Sequence, residues 1–361
     1  MAELIAARRL TFCDCAEWGS DALSVMNRMF AGWFCRDRFD MLNHHSCFRI
    51  KNGSDVIPEA VDADMGELCD RRAAELIALG KPVVVLWSGG VDSTAILVSF
   101  LKQMTDGLDL TVAYAPMTKF ENPVMLAVLV KDKRVKLEEH ESIPDYIRTL
   151  SGKTVITGWC ADQLFGSDVH RFAPTLYNEP WMDGIRAMMK ARGIFLTERS
   201  FDLIESEFSR YAAKLGVELT RFCEFAWLYN FGVKWSFVRD AAKLVCHDSA
   251  SRDCVVNFFE AMPFQEWSMA NYHTIKEHNT MLEPMYYKRP LKQYIFEYNQ
   301  DENYLLNKPK VNSRSSTKAV DTIGTRDTDG YHVFKLKDGK ERDMIELNKL
   351  VAQRYLKEEY L

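Results

Sequence analysis

The chain has 361 residues, 47% of them hydrophobic and 27% charged, a balance that excludes a disordered, collagen-like or coiled-coil protein and leaves room for about two domains. With 46 Lys and Arg against 51 Asp and Glu the formal charge is −5, so there is no global electrostatic reason to sit on nucleic acid or an anionic membrane. No apolar run is long enough to span a bilayer and Met1–Arg9 opens no secretory signal. The nine cysteines are odd in number and form no C-x-x-C pair, so the expectation is a cytoplasmic protein with reduced thiols.

Residues 1–64 read as an N-terminal extension with one hairpin signal, Cys47–Ile50 and Val56-Ile57 around Asn52-Gly53. A helix follows: Asp64 caps it with Glu67 three residues on, Met65, Leu68, Cys69, Ala73, Leu76 and Ile77 share a face, and Gly80 and Pro82 end it. Val83–Trp87 is apolar without alternation, which predicts a buried parallel strand. Ser88-Gly89-Gly90-Val91-Asp92 then turns into a helix with a stripe of Ile96, Leu97, Phe100, Leu101 and Met104. A strand at Leu110–Ala115, a helix capped by Asn122-Pro123 and a strand at Thr154–Thr157 complete an α/β core over 65–175. Residues 176–306, rich in Trp, Phe, Tyr and Met, read as mainly helical. Residues 307–361 read as a basic loop to about 330, a hairpin through Lys337–Lys340 and a helix from about Arg342.

The chemistry concentrates in Ser88-Gly89-Gly90-Val91-Asp92-Ser93-Thr94. Two glycines let the main chain turn tightly, the amides of a helix N-terminus face outward, and Ser88, Ser93 and Thr94 add hydroxyls, which together suit phosphate. Neither G-x-x-x-x-G-K-[ST] nor G-x-G-x-x-G is present. Asp92 is odd beside an anion and makes sense if it holds Mg²⁺.

Ser88–Ser93 resembles the S-G-G-x-D-S pyrophosphate loop of the ATP pyrophosphatase (adenine nucleotide α-hydrolase-like) superfamily. Thr157-Gly158-Trp159-Cys160-Ala161-Asp162-Gln163-Leu164-Phe165-Gly166-Ser167 is similar to the S-G-x-G-[SA]-D-E-x-F-G-G segment of the asparagine synthetase C-terminal domain. Tyr304–Lys310 is similar to its late R-x-K element. The resemblance spans roughly residues 65–315. It implies an α/β fold, a parallel doubly wound sheet with a pyrophosphate loop, followed by a helical substrate-side region. It also implies ATP and Mg²⁺, with adenylation of a carboxylate or carbonyl, release of pyrophosphate, and displacement of AMP by an amine. On that alignment Ser88, Gly89, Gly90, Asp92, Ser93 and Thr94 bind the nucleotide, Asp92 and Asp162 hold metal, and Lys310 stabilises the leaving group with Lys308 in the arginine position. Lys308, Lys310, Arg314 and Lys318 read equally well as a solvated loop.

The sequence departs from the pattern at three places. Residue 2 is Ala and the preceding segment is too short for a glutaminase, so the amine is expected from free ammonia, the substrate itself or an ammonia-supplying partner. Trp159 stands where relatives carry a glutamate, and Gln163 replaces the glutamate of D-E. Cys160 reads as a buried glycine replacement. Trp227, Tyr229, Phe231, Trp235 and Phe237 read as helical core, with a substrate pocket including Arg239 and Asp240 as the alternative. His44-His45, His273 and His278 lack metal-ligand spacing. Two other functions stay open: a nucleotide-sensing module that has lost the second half-reaction, and an adenylating nucleic-acid or tRNA modification enzyme.

Overall fold

The computed structural model describes residues 57–116, 118–167, 174–191, 198–235, 238–239, 253–281 and 283–308, and three strands within 322–343. It divides into two units, one made of Pro58–Arg171 with Val238–Ser313, the other of Met1–Ile57, Phe172–Phe237 and Arg314–Leu361. The hairpin expected at 47–57 lies outside the described residues, as do Cys13, Cys15, His44 and His45. Among the described residues no helix is long and apolar enough to cross a membrane.

The first unit is an α/β fold on a five-stranded, all-parallel sheet. Its strands are β1 (Val83–Trp87), β2 (Leu110–Tyr114), β3 (Val135–Glu139), β4 (Thr154–Thr157) and β5 (Val255–Asn257), in the order β3-β2-β1-β4-β5. The chain builds outward from β1 to β3, then returns to lay β4 on the other side of β1. The carboxyl ends of β1 and β4 therefore flank the point where the strand order reverses, the usual ligand crevice of an open α/β sheet. β5 pairs with β4 at Val255↔Val155, so the segment expected to be mainly helical also supplies the sheet's last strand. β3 and β5 are both additions to the strands expected from sequence.

Helix α1 (Met65–Ile77) starts as its sequence requires, with Asp64 Oδ1 accepting from the Glu67 amide at 2.9 Å. Helix α2 (Val91–Lys102) is buried from Ser93 to Leu101, all round rather than along one stripe, as expected of a helix enclosed on several sides; it packs against β1, α1 and α12 (Arg289–Asn299). After the short α3 (Thr118–Glu121), Asn122 caps α4 (Pro123–Lys131) by accepting from the Met125 amide at 3.0 Å. Ile147 of α5 (Ile143–Arg148) packs with Val84, Ala113, Val155 and Val255. Among the described residues this unit also holds α6 (Ala161–Leu164), α10 (Met262–Ala270), α11 (Tyr272–Thr280) and α13 (Glu302–Asn307).

In the second unit, α7 (Trp181–Ala191), α8 (Glu198–Leu215) and α9 (Phe222–Leu228) lead into a wide π-helical turn, Tyr229–Lys234. Its C-terminal part corrects the sequence reading. Residues 322–328 are a strand, β6, paired antiparallel with β7 (Tyr331–Leu336), and β7 pairs with β8 (Glu341–Asp343). The expected loop thus holds a strand, and Arg342 lies in β8, while the helix expected from about there falls on 344–361, outside the described residues. The turn residues 337–340 lie outside the described residues, between two strands that pair as a hairpin would.

Candidate functional site

The turn that leaves β1 is built by its own side chains. Gly89 has φ +79°, a region where a β-carbon is strained, and a β-carbon there would also stand 2.9 Å from Glu121 Cβ. Ser93 Oγ accepts from the Ser88 amide at 3.1 Å, donates to the Gly90 carbonyl at 3.2 Å and lies 3.0 Å from Ser88 Oγ. The first turn of α2 is thereby tied back onto Ser88-Gly89-Gly90. From α13, the Tyr304 hydroxyl donates to the Gly89 carbonyl at 3.0 Å and holds the turn from behind. Thr94 differs from the expectation. It is fully buried, and its Oγ1 accepts from Trp87 Nε1 at 3.0 Å and Asn122 Nδ2 at 3.4 Å, so its hydroxyl fastens the strand–helix junction.

The two motifs, some seventy residues apart in the sequence, meet here. β4 lies parallel beside β1, and a β-carbon on Gly158 would stand 3.2 Å from Asp92 Cβ and 3.4 Å from the Ser93 amide nitrogen. Cys160 is buried with φ +77°, a conformation uncommon outside glycine, which agrees with a thiol standing at a glycine position. Asp162, in α6, accepts from Ser167 Oγ at 2.9 Å and from the Tyr287 hydroxyl at 3.1 Å. Ser268 Oγ and Asn279 Nδ2 fix the same segment through the Leu164 and Phe165 carbonyls, at 2.6 and 2.8 Å. Trp159 is 40% exposed at the end of β4, and Gln163 is buried.

A residue that the sequence gives no reason to single out completes the group. Lys288 Nζ lies 2.5 and 2.6 Å from the two carboxylate oxygens of Asp92 and 2.7 Å from Asp162 Oδ1, and its side chain is wholly buried. Burial opposes the ammonium, but Asp162 and Asp92 outweigh it and raise its pKa. The backbone of Lys288 is left-handed (φ 50°, ψ 39°) where it caps α12. Such a conformation costs a non-glycine residue about 1–2 kcal/mol. It is held by amides of Leu291 and Lys292 donating to the Lys288 carbonyl at 3.1 and 3.2 Å.

This arrangement bears directly on the expected metal. Mg²⁺ needs near-octahedral oxygens at about 2.0–2.1 Å. The place toward which Asp92 and Asp162 converge holds an ammonium instead, and a second cation beside it would be strongly repelled. With Lys288 in place, the two aspartates do not fit a resident divalent ion. Among the described residues no group of three or more His, Cys, Asp and Glu side chains is gathered as a metal-ligand set.

Of the late basic element, Lys308 reaches the site. Its Nζ lies 2.9 Å from Glu121 Oε1, and Glu121 packs against Gly89. Lys310, Arg314 and Lys318 lie outside the described residues. Lys292, buried on α12, donates to the Pro284 and Lys308 carbonyls, both at 2.6 Å, and so secures the chain that carries Lys308. Burial, and then the charge of Lys308, lowers its pKa to about 7. Between that value and the ordinary lysine value of about 10.4 the unfolded chain binds a proton that the folded one does not, so this group's contribution to stability rises with pH. The stability of the protein minus that of Lys292→Met is expected to grow from pH 7 to 10, as urea denaturation at a series of pH values would measure. A flat difference would contradict the assignment.

Trp227, Tyr229, Phe231 and Trp235 are buried, with Trp227 stacked on Phe231 at 4.6 Å between centroids, in agreement with a core role. His273 is exposed and His278 half-buried on α11, while Phe237 and Asp240 lie outside the described residues. No protein-family model matches this chain, and no curated protein matches it.

Proposed function

We propose that this chain is an AMP-forming ligase that binds ATP at the Ser88–Ser93 turn and adenylates a carboxylate or carbonyl oxygen of a small substrate. The reading takes the sheet as doubly wound and the turn as a pyrophosphate loop. The observation that supports it most is the turn itself: a Gly-rich, hydroxyl-lined bend at the carboxyl end of the central strand, opening a buried twelve-residue helix beside the reversal of strand order. Amides at such a helix start favour an anion.

For a carboxylate, one substrate oxygen attacks the α-phosphorus, the bond to the α–β bridging oxygen breaks, and pyrophosphate leaves with the electron pair. An amine then attacks the acyl carbon, AMP departs and the amine loses a proton. Ser88, Gly89, Gly90 and Ser93 cradle the phosphates, and Lys308 with Lys310 offsets the charge that builds on the leaving pyrophosphate. The Thr94 hydroxyl has no part in the cradle. Mg²⁺ is carried over from the resemblance as the cation that accompanies ATP.

The test is product analysis with ATP labelled at the α-phosphate and pools of carboxylates and amines. AMP and pyrophosphate formed only with particular additions would support the ligase and identify its substrates. The nucleotide-sensing reading draws on one observation: exposed Trp159 and buried Gln163 offer no acid or base beside Asp162 for the amide-forming half. Tight AMP binding with ATP left intact would favour it.

A further inference from the structure

Two acidic groups border a turn suited to anions, and each is met by a buried lysine: Glu121 by Lys308, and the pair Asp92 and Asp162 by Lys288. The second case is the more demanding. Two carboxylates directed at one point repel each other and any arriving phosphate, and the sequence alone suggests a divalent ion as the remedy. The chain supplies its own. Three carboxylate oxygens lie within 2.7 Å of one Nζ, as many contacts as an ammonium has protons. The rings of Tyr287 and Phe165 stand 5.5 and 5.9 Å from the same nitrogen.

The lysine is also fixed from its own side. It begins α12, and α12 is tied to the rest of the unit by the Tyr294 hydroxyl, which donates to Asp70, and by Lys102, which pairs with Asp70 at 2.6 Å and lies 4.5 Å above the Tyr294 ring. Withdrawing Nζ would break three charged contacts and take from both aspartates the ammonium that they share. A free cation competing for the pair bears that whole cost.

We infer that Lys288 is the resident cation of the Asp92–Asp162 pair: the pair takes no free divalent metal while Lys288 is present, and becomes a divalent-cation site when it is removed. The inference stands on these three side chains and holds whether or not the chain binds ATP. Lys288 is then a positioning residue: it sets both carboxylates and removes one unit of negative charge from the floor beside the turn.

Mn²⁺ titration without nucleotide, followed by loss of the free-ion EPR signal, tests it on four full-length proteins: the wild type, Asp162→Asn, Lys288→Ala and Lys288→Ala/Asp162→Asn. Up to about 1 mM, the weak end of protein cation sites, the wild type and Asp162→Asn are expected to titrate alike. Lys288→Ala gains one Mn²⁺ bound at least about tenfold more tightly, equivalent to about 1.4 kcal/mol, and the double variant loses it. A Mn²⁺ bound by the wild type and lost in Asp162→Asn would overturn the inference, as would a folded Lys288→Ala that gains none. Should Lys288→Ala fail to fold, the wild type against Asp162→Asn still decides. No nucleotide enters the titration, so its failure is distinct from failure of the ligase reading, which the labelled-ATP assay reports.

Discussion

Lys288→Met, in chelator-treated buffer, is expected to lower the stability of the protein by about 3–5 kcal/mol, the range for removing one partner of a buried ion pair. The loss comes less from the contacts of the lysine than from what they leave behind. Asp92 and Asp162 are three-quarters buried and would face each other without the ammonium that both contact. Methionine keeps most of the volume, so a cavity contributes little and electrostatics dominate. Adding Asp92→Asn to Lys288→Met should recover part of the loss, because one carboxylate fewer means less repulsion; two independent sites would add instead. Urea denaturation followed by tryptophan fluorescence checks both. A loss below about 1 kcal/mol, the size of an exposed pair, would mean that the ion pair does not hold the site together.

Gly89→Ala is expected to be the most damaging single-methyl change in the turn. Its positive φ costs an alanine about 1–2 kcal/mol, and the new methyl would sit 2.9 Å from Glu121 Cβ and 3.3 Å from the Thr118 carbonyl oxygen. Overpacking of this kind adds about 1–3 kcal/mol. Relief would push the turn away from α3 and break the Tyr304 bond to the Gly89 carbonyl. The proposed nucleotide binding should therefore be lost along with about 2–5 kcal/mol of stability. Gly90→Ala is the control. Its backbone is in the ordinary extended region and the nearest atom to its β-carbon is Ser88 Oγ at 3.3 Å, a side chain able to turn aside. It should cost under about 1 kcal/mol. Equal losses in the two variants would show that the conformation of Gly89 is not what holds the turn.

What the sequence revealed was what is decided locally. Asp64 with Glu67, Asn122 with Pro123, and the apolar runs Val83–Trp87 and Thr154–Thr157 carry their signals within a few residues, and the structure follows each. What it concealed is decided by distant partners. β5 is three residues whose identity as a strand comes from pairing with β4 about a hundred residues earlier. β3 reads Val-Lys-Leu-Glu-Glu, an edge strand too polar to stand out. The all-round burial of α2 depends on β1, α1 and α12 closing over it, which no periodicity can report. Lys288 looked like one charge among many, because nothing near it in the chain marks a partner 126 or 196 residues away. One local signal was present and passed over: Asp329-Gly330 lies between Thr328 and Tyr331, which pair across β6 and β7, and Asp-Gly between alternating residues is a strong hairpin signal. The polar composition of 307–330 masked it. The resemblance implies one site for Ser88–Ser93, Asp162, Lys308 and Lys310; in the structure Lys288 bridges Asp92 and Asp162, Lys308 pairs with Glu121 beside Gly89, and Lys310 lies outside the described residues.

The separation of Asp92 from Lys288 also sets the order in which this site comes into being. A chain growing from its N-terminus carries both aspartates, and four of the five strands, well before the lysine has been joined to it. Until residue 288 is made, the turn, β4 and α6 carry both aspartates without their shared ammonium and lack the helix that begins there. No fragment ending earlier can stand for the site, however complete its motifs look on paper. The shortest piece that reproduces it must run through α12, and in a nascent chain the two aspartates gain this ammonium only once residue 288 has been added.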